Sequence, residues 1–124
     1  MKILLVEDEP LWQTGIAGLL ALCDDCELAG VADNFDDALT LYDDIRPDVA
    51  LLDWKLRGSR DGLQVADALL EKGHPERGII LISGSDPALM PQTPFRFVPK
   101  SRISSDLRAA LKNVTNYEPA QARQ

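Results

Sequence analysis

The sequence predicts an α/β fold, a doubly wound sheet of five parallel strands with helices on both faces. Three observations carry this. Five short apolar runs recur along the chain, and all but the fourth lead through a polar turn into a stretch with apolar residues at helical spacing. Runs such as Ile3-Leu4-Leu5-Val6 and Ile79-Ile80-Leu81-Ile82 lack the polar alternation of half-exposed strands, so they suit strands buried on both faces. Finally, 124 residues with 45% hydrophobic and 27% charged side chains suffice for one globular domain with a real core.

Taken in order, Lys2–Val6 reads as a buried strand and Glu7-Asp8-Glu9-Pro10 as the turn beyond it. Asp8 is placed to cap the next helix, and Pro10 suits its first turn. Residues 11–23 carry Ile16, Leu19, Leu20 and Cys23 at helical spacing, weakened by Gly15 and Gly18. A shorter strand is expected over Glu27–Ala32, then a helix over 35–45 with Ala38, Leu41 and Ile45 inward, ended by Pro47. The central strand, 48–54, closes on Asp53 and Trp54. A polar, glycine-bounded loop follows, then an amphipathic helix over 63–72. After the strand 78–82, Pro87, Pro91 and Pro94 divide the next segment so that only Ala88-Leu89-Met90 can make about one helical turn. The last strand is 95–98 and the last helix 104–114, with Leu107, Ala110, Leu111 and Val114 inward. The domain is expected over 1–115, with 116–124 a frayed tail.

Strands alternating with helices imply right-handed crossovers. The flavodoxin-like strand order 2-1-3-4-5 is carried over from known five-stranded folds of this class, in which ligands bind at the carboxyl ends of the strands.

Bulk composition narrows the function. A net charge of −7 argues against a nucleic-acid binder, which needs a basic face for phosphates. No apolar run approaches the ~18–20 residues that cross a bilayer, and Met1-Lys2 leads straight into a strand without signal-peptide features. No membrane association and a cytoplasmic location are expected. Cys23 and Cys26 form a C-x-x-C beside Asp24 and Asp25, near a helix C-terminus. That setting raises a thiol's pKa, and His74 is the only histidine to help hold a metal, so ordinary reduced cysteines are expected.

The chemistry gathers at the strand ends. The first strand reaches Glu7 and Asp8, the third Asp53, the fourth Ser83 and the fifth Lys100. Three carboxylates brought together repel, and a divalent cation removes the conflict; Mg²⁺ suits such hard oxygen ligands. With a hydroxyl and a lysine beside them, the set suits phosphoryl transfer to a carboxylate. Asp53 would be the nucleophile, and the metal and Lys100 would neutralise phosphoryl oxygens.

On these residues the sequence resembles the receiver domain of two-component response regulators. The resemblance spans residues 2–114 and rests jointly on Val6-Glu7-Asp8-Glu9-Pro10, Pro47 through Asp53, Asp61-Gly62, Ile82-Ser83-Gly84 and Phe97-Val98-Pro99-Lys100. It implies that Asp53 is the phosphoacceptor. Asp8, Asp53 and the main-chain carbonyl of Lys55 would hold Mg²⁺, with Glu7 helping through water. Ser83 would be the switch hydroxyl, Lys100 the phosphoryl ion pair and Phe97 the switch aromatic. The donor would be a histidine kinase or a histidine phosphotransfer protein, met through a partner surface including Trp12, Gly15, Ser101 and Arg102.

Three departures from the family pattern stand out. Ser101 occupies the place of a proline usually preceded by a cis bond. A cis Lys–Ser bond would cost about 2.5–4 kcal/mol, so a trans bond or a shifted loop is expected. The loop after Asp53 is slightly longer than usual, with Arg57 where proline is common. The stretch between Ser83 and Phe97 is short and broken by proline, so the family's fourth helix should be short or missing, as in stand-alone receivers of that kind. The expected protein is a single-domain regulator signalling through protein contacts, a monomer or weak dimer that does not use the fourth-helix face.

The main competitor is a pseudo-receiver that binds partners without phosphorylation. A flavin-type module would need a phosphate-cradling loop where Glu7-Asp8-Glu9 stands. A haloacid-dehalogenase-type phosphatase would want an Asp in place of Lys55, and a Ser-His-Asp hydrolase would have to recruit His74 from a distant loop.

Overall fold

The computed structural model describes residues 1–115; the tail expected over 116–124 lies outside them. Strands β1 (Lys2–Val6), β2 (Glu27–Ala32), β3 (Val49–Asp53), β4 (Ile79–Ser83) and β5 (Arg96–Pro99) form one parallel sheet in the order β2-β1-β3-β4-β5. Helices α1 (Pro10–Ala21), α2 (Phe35–Ile45), α3 (Gly62–Glu71) and α4 (Ile103–Thr115) cover both faces.

Alternation along the strands sorts the core in two. Leu4, Val6, Ala50, Leu52, Ile79 and Leu81 pack on the α2–α3 side. Ile3, Leu5, Val49, Leu51, Ile80 and Ile82 pack with α1 and α4. Every residue of β3 and β4 is buried, which is why neither strand shows a polar face in sequence. Leu107, Ala110 and Leu111 are buried as expected. On α2 the turn is slightly different: Ala38 and Tyr42 are buried, whereas Leu41 and Ile45 are half-buried against the same core.

Local signals explain the helix starts. Asn34 caps α2, its side chain accepting from Asp37 N at 2.9 Å, with Asp36 and Asp37 complementing the dipole. Asp61 and Gln64 form a capping box on α3. Helix α1 runs through Gly15 and Gly18, and its N-cap is Glu9, without a side-chain cap. The expected cap by Asp8 is not made, because donors from the loop after β3 hold that carboxylate instead (below). Between β4 and β5 the prolines permit a single 3-10 turn, Pro87–Leu89. The helix that the family carries there is missing.

One further correction concerns the cysteines. Cys23 and Cys26 are joined as a disulfide rather than reduced. The turn after α1, closed by Cys26 N donating to Cys23 O at 3.1 Å, brings their Cα atoms to 5.4 Å, within disulfide range. His74 is buried, with Nδ1 3.0 Å from Tyr42 Oη and Nε2 3.0 Å from the Gly78 carbonyl. Nε2 must donate to that carbonyl, so in the neutral ring Nδ1 accepts from the tyrosine hydroxyl. Burial lowers its pKa, with the Gly78 bond and Asp48 opposing.

Candidate functional site

Parallel register brings four strand ends to one edge. Val6 is level with Leu52, Asp53 with Ile82, and Ser83 with Pro99. Glu7 therefore leaves β1 beside Asp53, and Lys100 follows β5 just past Ser83. Carboxylate oxygens of Glu7, Asp8 and Asp53 lie within 4.8 Å of one another. Lys100 Nζ stands 2.7 Å from Glu7 Oε1 and 3.5 Å from Asp53 Oδ2. Glu7, Asp53 and Lys100 are all buried.

One ammonium does not balance this cluster. Burial first, then the charge of Glu7, pushes the Asp53 carboxyl up from 3.8 to about 7, with Lys100 opposing. Glu7 is fully buried; its Oε2 accepts from Glu9 N at 3.1 Å, but Oε1 touches Lys100 without hydrogen-bond geometry to any partner. An under-satisfied buried oxygen among three converging carboxylates fits a hard divalent cation.

Several contacts hold the site that sequence reasoning missed. Asp8 Oδ2 accepts from Arg57 N at 2.9 Å, and Arg57 Nε lies 3.4 Å away. Gln13 Nε2 donates to the Glu7 carbonyl at 2.6 Å. The Trp12 ring centroid lies 4.8 Å from Lys100 Nζ. Gly62 N donates to Trp54 O at 2.9 Å, and a Cβ at 62 would strike the main-chain carbonyl of Asp53. Only glycine lets α3 start so close to the end of β3. Arg57 stands out in the sequence as a departure from the family pattern, but nothing there pairs it with Asp8.

Ser83 is buried, its Oγ accepting from Ser85 N at 3.0 Å. Phe97 is half-buried and packs against the α2–α3 core rather than the acids. Lys55 is exposed, its ammonium 4.4 Å from the Trp54 ring centroid. Trp12 is half-buried against the α1–α4 core. Gly15 is exposed and open, and Leu11, not singled out in sequence, is 86% exposed one turn before it. Ser101 and Arg102 are exposed in the 3-10 turn Lys100–Arg102, and the Lys100–Ser101 bond is trans. His74 lies near Met1, Pro47 and Asp48, beside the beginnings of β1 and β3 and so at the other edge of the sheet.

The family model for the response regulator receiver domain matches residues 3–112. The chain belongs to this family. The receiver is 36% identical over 118 residues to the positive alginate biosynthesis regulatory protein of Pseudomonas aeruginosa, covering 93% of the chain and 47% of that protein. It is 33% identical to the nitrate/nitrite response regulator protein NarL of Escherichia coli over 63% of the chain and 36% of that protein. The receiver thus spans about half or less of these relatives. Among solved structures, the receiver domain of the putative response regulator NarL from Mycobacterium tuberculosis superposes with a TM-score of 0.76 at 32% identity, covering 94% and 97% of the two chains. Membership implies a phosphoacceptor role in two-component signalling; receiver domains interact with histidine kinases or phosphotransfer proteins and typically bind Mg²⁺ at an acidic pocket. Among the described residues no helix is long and apolar enough to cross a membrane.

Proposed function

We propose that the receiver accepts a phosphoryl group on Asp53 and signals from the cytoplasm through protein contacts. The carrying observation is the convergence of Glu7, Asp8 and Asp53 within 4.8 Å around the buried ammonium of Lys100. An Asp53 carboxylate oxygen attacks phosphorus of a phosphohistidine on a kinase or phosphotransfer protein. The O–P bond forms as the N–P bond breaks, and the imidazole keeps the electron pair. Lys100 neutralises charge on a phosphoryl oxygen, and the Ser83 hydroxyl donates to another. Asp8, Asp53 and the Lys55 carbonyl, with Glu7 through water, would hold Mg²⁺, which would supply further neutralisation of charge on the phosphoryl oxygens. Phe97 follows Ser83 between two rotamers. Trp12, Gly15, Ser101 and Arg102 border the approach to the acids and form the kinase-facing surface, which the exposure of Leu11 beside Gly15 extends.

The test is labelling by acetyl phosphate with Mg²⁺. Wild type is expected to gain one phosphoryl group and Asp53→Asn none. Equal labelling of both overturns the assignment, and no labelling of either supports a phosphorylation-independent binding module.

A further inference from the structure

Lys100 carries the most exacting role in the site, and its own loop does little to hold it. It opens a 3-10 turn whose other members, Ser101 and Arg102, are exposed, and Arg102 pairs outward with Asp106 at 3.3 Å. The side chain crosses to the acids on four rotatable bonds. Two sides of its ammonium face Glu7 and Asp53; a third faces the indole of Trp12, at 4.8 Å from the ring centroid. Trp12 is itself fixed: it sits in the first turn of α1, half-buried against the α1–α4 core, next to Gln13, whose amide grips the Glu7 carbonyl.

We propose that Trp12 is a positioning residue for the phosphoryl transfer, its ring face seating the Lys100 ammonium between Glu7 and Asp53. This rests on the proposed acceptor role of Asp53. A ring face attracts a cation strongly once water is excluded, and Lys100 is only 9% exposed. The attraction also has no single N–H direction, unlike a hydrogen bond. The ammonium can slide from Glu7 towards an incoming phosphoryl oxygen while it stays against the indole. Trp12 thus limits the search of a long side chain without opposing the movement that transfer requires.

Acetyl phosphate separates this role from kinase docking, because a small donor has no helical surface to meet. Trp12→Leu keeps bulk but removes the π face, whereas Trp12→Phe keeps a ring. At saturating Mg²⁺, Trp12→Leu is expected to lower the maximal phosphorylation rate constant about 5–30-fold, with the half-saturating donor concentration nearly unchanged. Trp12→Phe should restore most of the rate. Equal rates in all three proteins, or equal losses in both variants, overturn the proposal while labelling of wild type but not Asp53→Asn leaves the acceptor reading standing. An unlabelled wild type overturns both. A second measurement needs no variant: the Lys100 ε-methylene protons of the folded wild type should be shifted upfield by the indole ring current, and ordinary lysine shifts there also overturn it.

Discussion

At the scale of single residues, the site stores conflict that binding relieves. Asp53 has its carboxyl pushed up to about 7 by burial and Glu7, against 3.8 when free of its neighbours. A group raised on folding favours the fold below its unfolded pKa and withdraws that support as pH climbs through the folded value. With chelator present, stability should therefore fall between about pH 4 and 7 from this source. Asp53→Asn should stabilise the domain on the order of 1–3 kcal/mol at pH 8 and much less at pH 4, read from urea unfolding at the two pH values. No difference between wild type and variant at pH 8 would contradict a strained carboxylate. Arg57 provides a second case. Its backbone and guanidinium both engage Asp8 Oδ2, placing a positive charge where a cation would approach. Removing a largely exposed charge has modest effects, so Arg57→Ala should tighten Mg²⁺ about two- to five-fold in a fluorescence titration. Weaker binding would mean that Arg57 helps to build the metal site.

At the scale of elements, legibility followed burial. Strands β3 and β4, buried on both faces, announce themselves as unbroken apolar runs; their ends on Asp53 and Ser83 located the site before any geometry. The prolines at 87, 91 and 94 likewise foretold the missing helix. What stayed hidden depends on contacts between distant segments. Asp8 looked like a helix cap because capping is a local habit, yet a loop 49 residues away claims its carboxylate. Tyr42 and His74, 32 residues apart, satisfy each other in the core, so neither reveals its burial by spacing. The cysteine pairing is set by the turn after α1, which the chemical setting of the two residues does not reveal. Helix α3 shows local and tertiary demands meeting. The Asp61 capping box starts it where Gly62 must touch the end of β3. Asp61→Ala should cost about 0.5–2 kcal/mol in chemical denaturation, and a neutral result would show that the strand contact alone sets the start of α3.

At the scale of the molecule, one sheet divides two cores, and the acids sit on its edge where α1, α3 and the β5–α4 turn converge. The two faces are not equally covered. On the α2–α3 side, β5 is overlain by an irregular segment with one 3-10 turn, leaving Phe97 half-buried and Leu89 72% exposed. A stable interface takes about 800 Å² from each partner, and this segment offers no regular helix face to supply it. The receiver should sediment as a monomer at micromolar concentration with and without beryllofluoride and Mg²⁺; a dimer formed only with beryllofluoride would show that another face carries assembly. The same segment has a practical consequence. Around Pro91 and Gln92 the chain is exposed, outside every strand and helix, and bracketed by Ser83 and Phe97. Chain breaks and insertions are best tolerated at such places. A reporter domain spliced there would leave all five strands intact while joined at both ends to the residues proposed to move, so this receiver could be rebuilt as its own sensor.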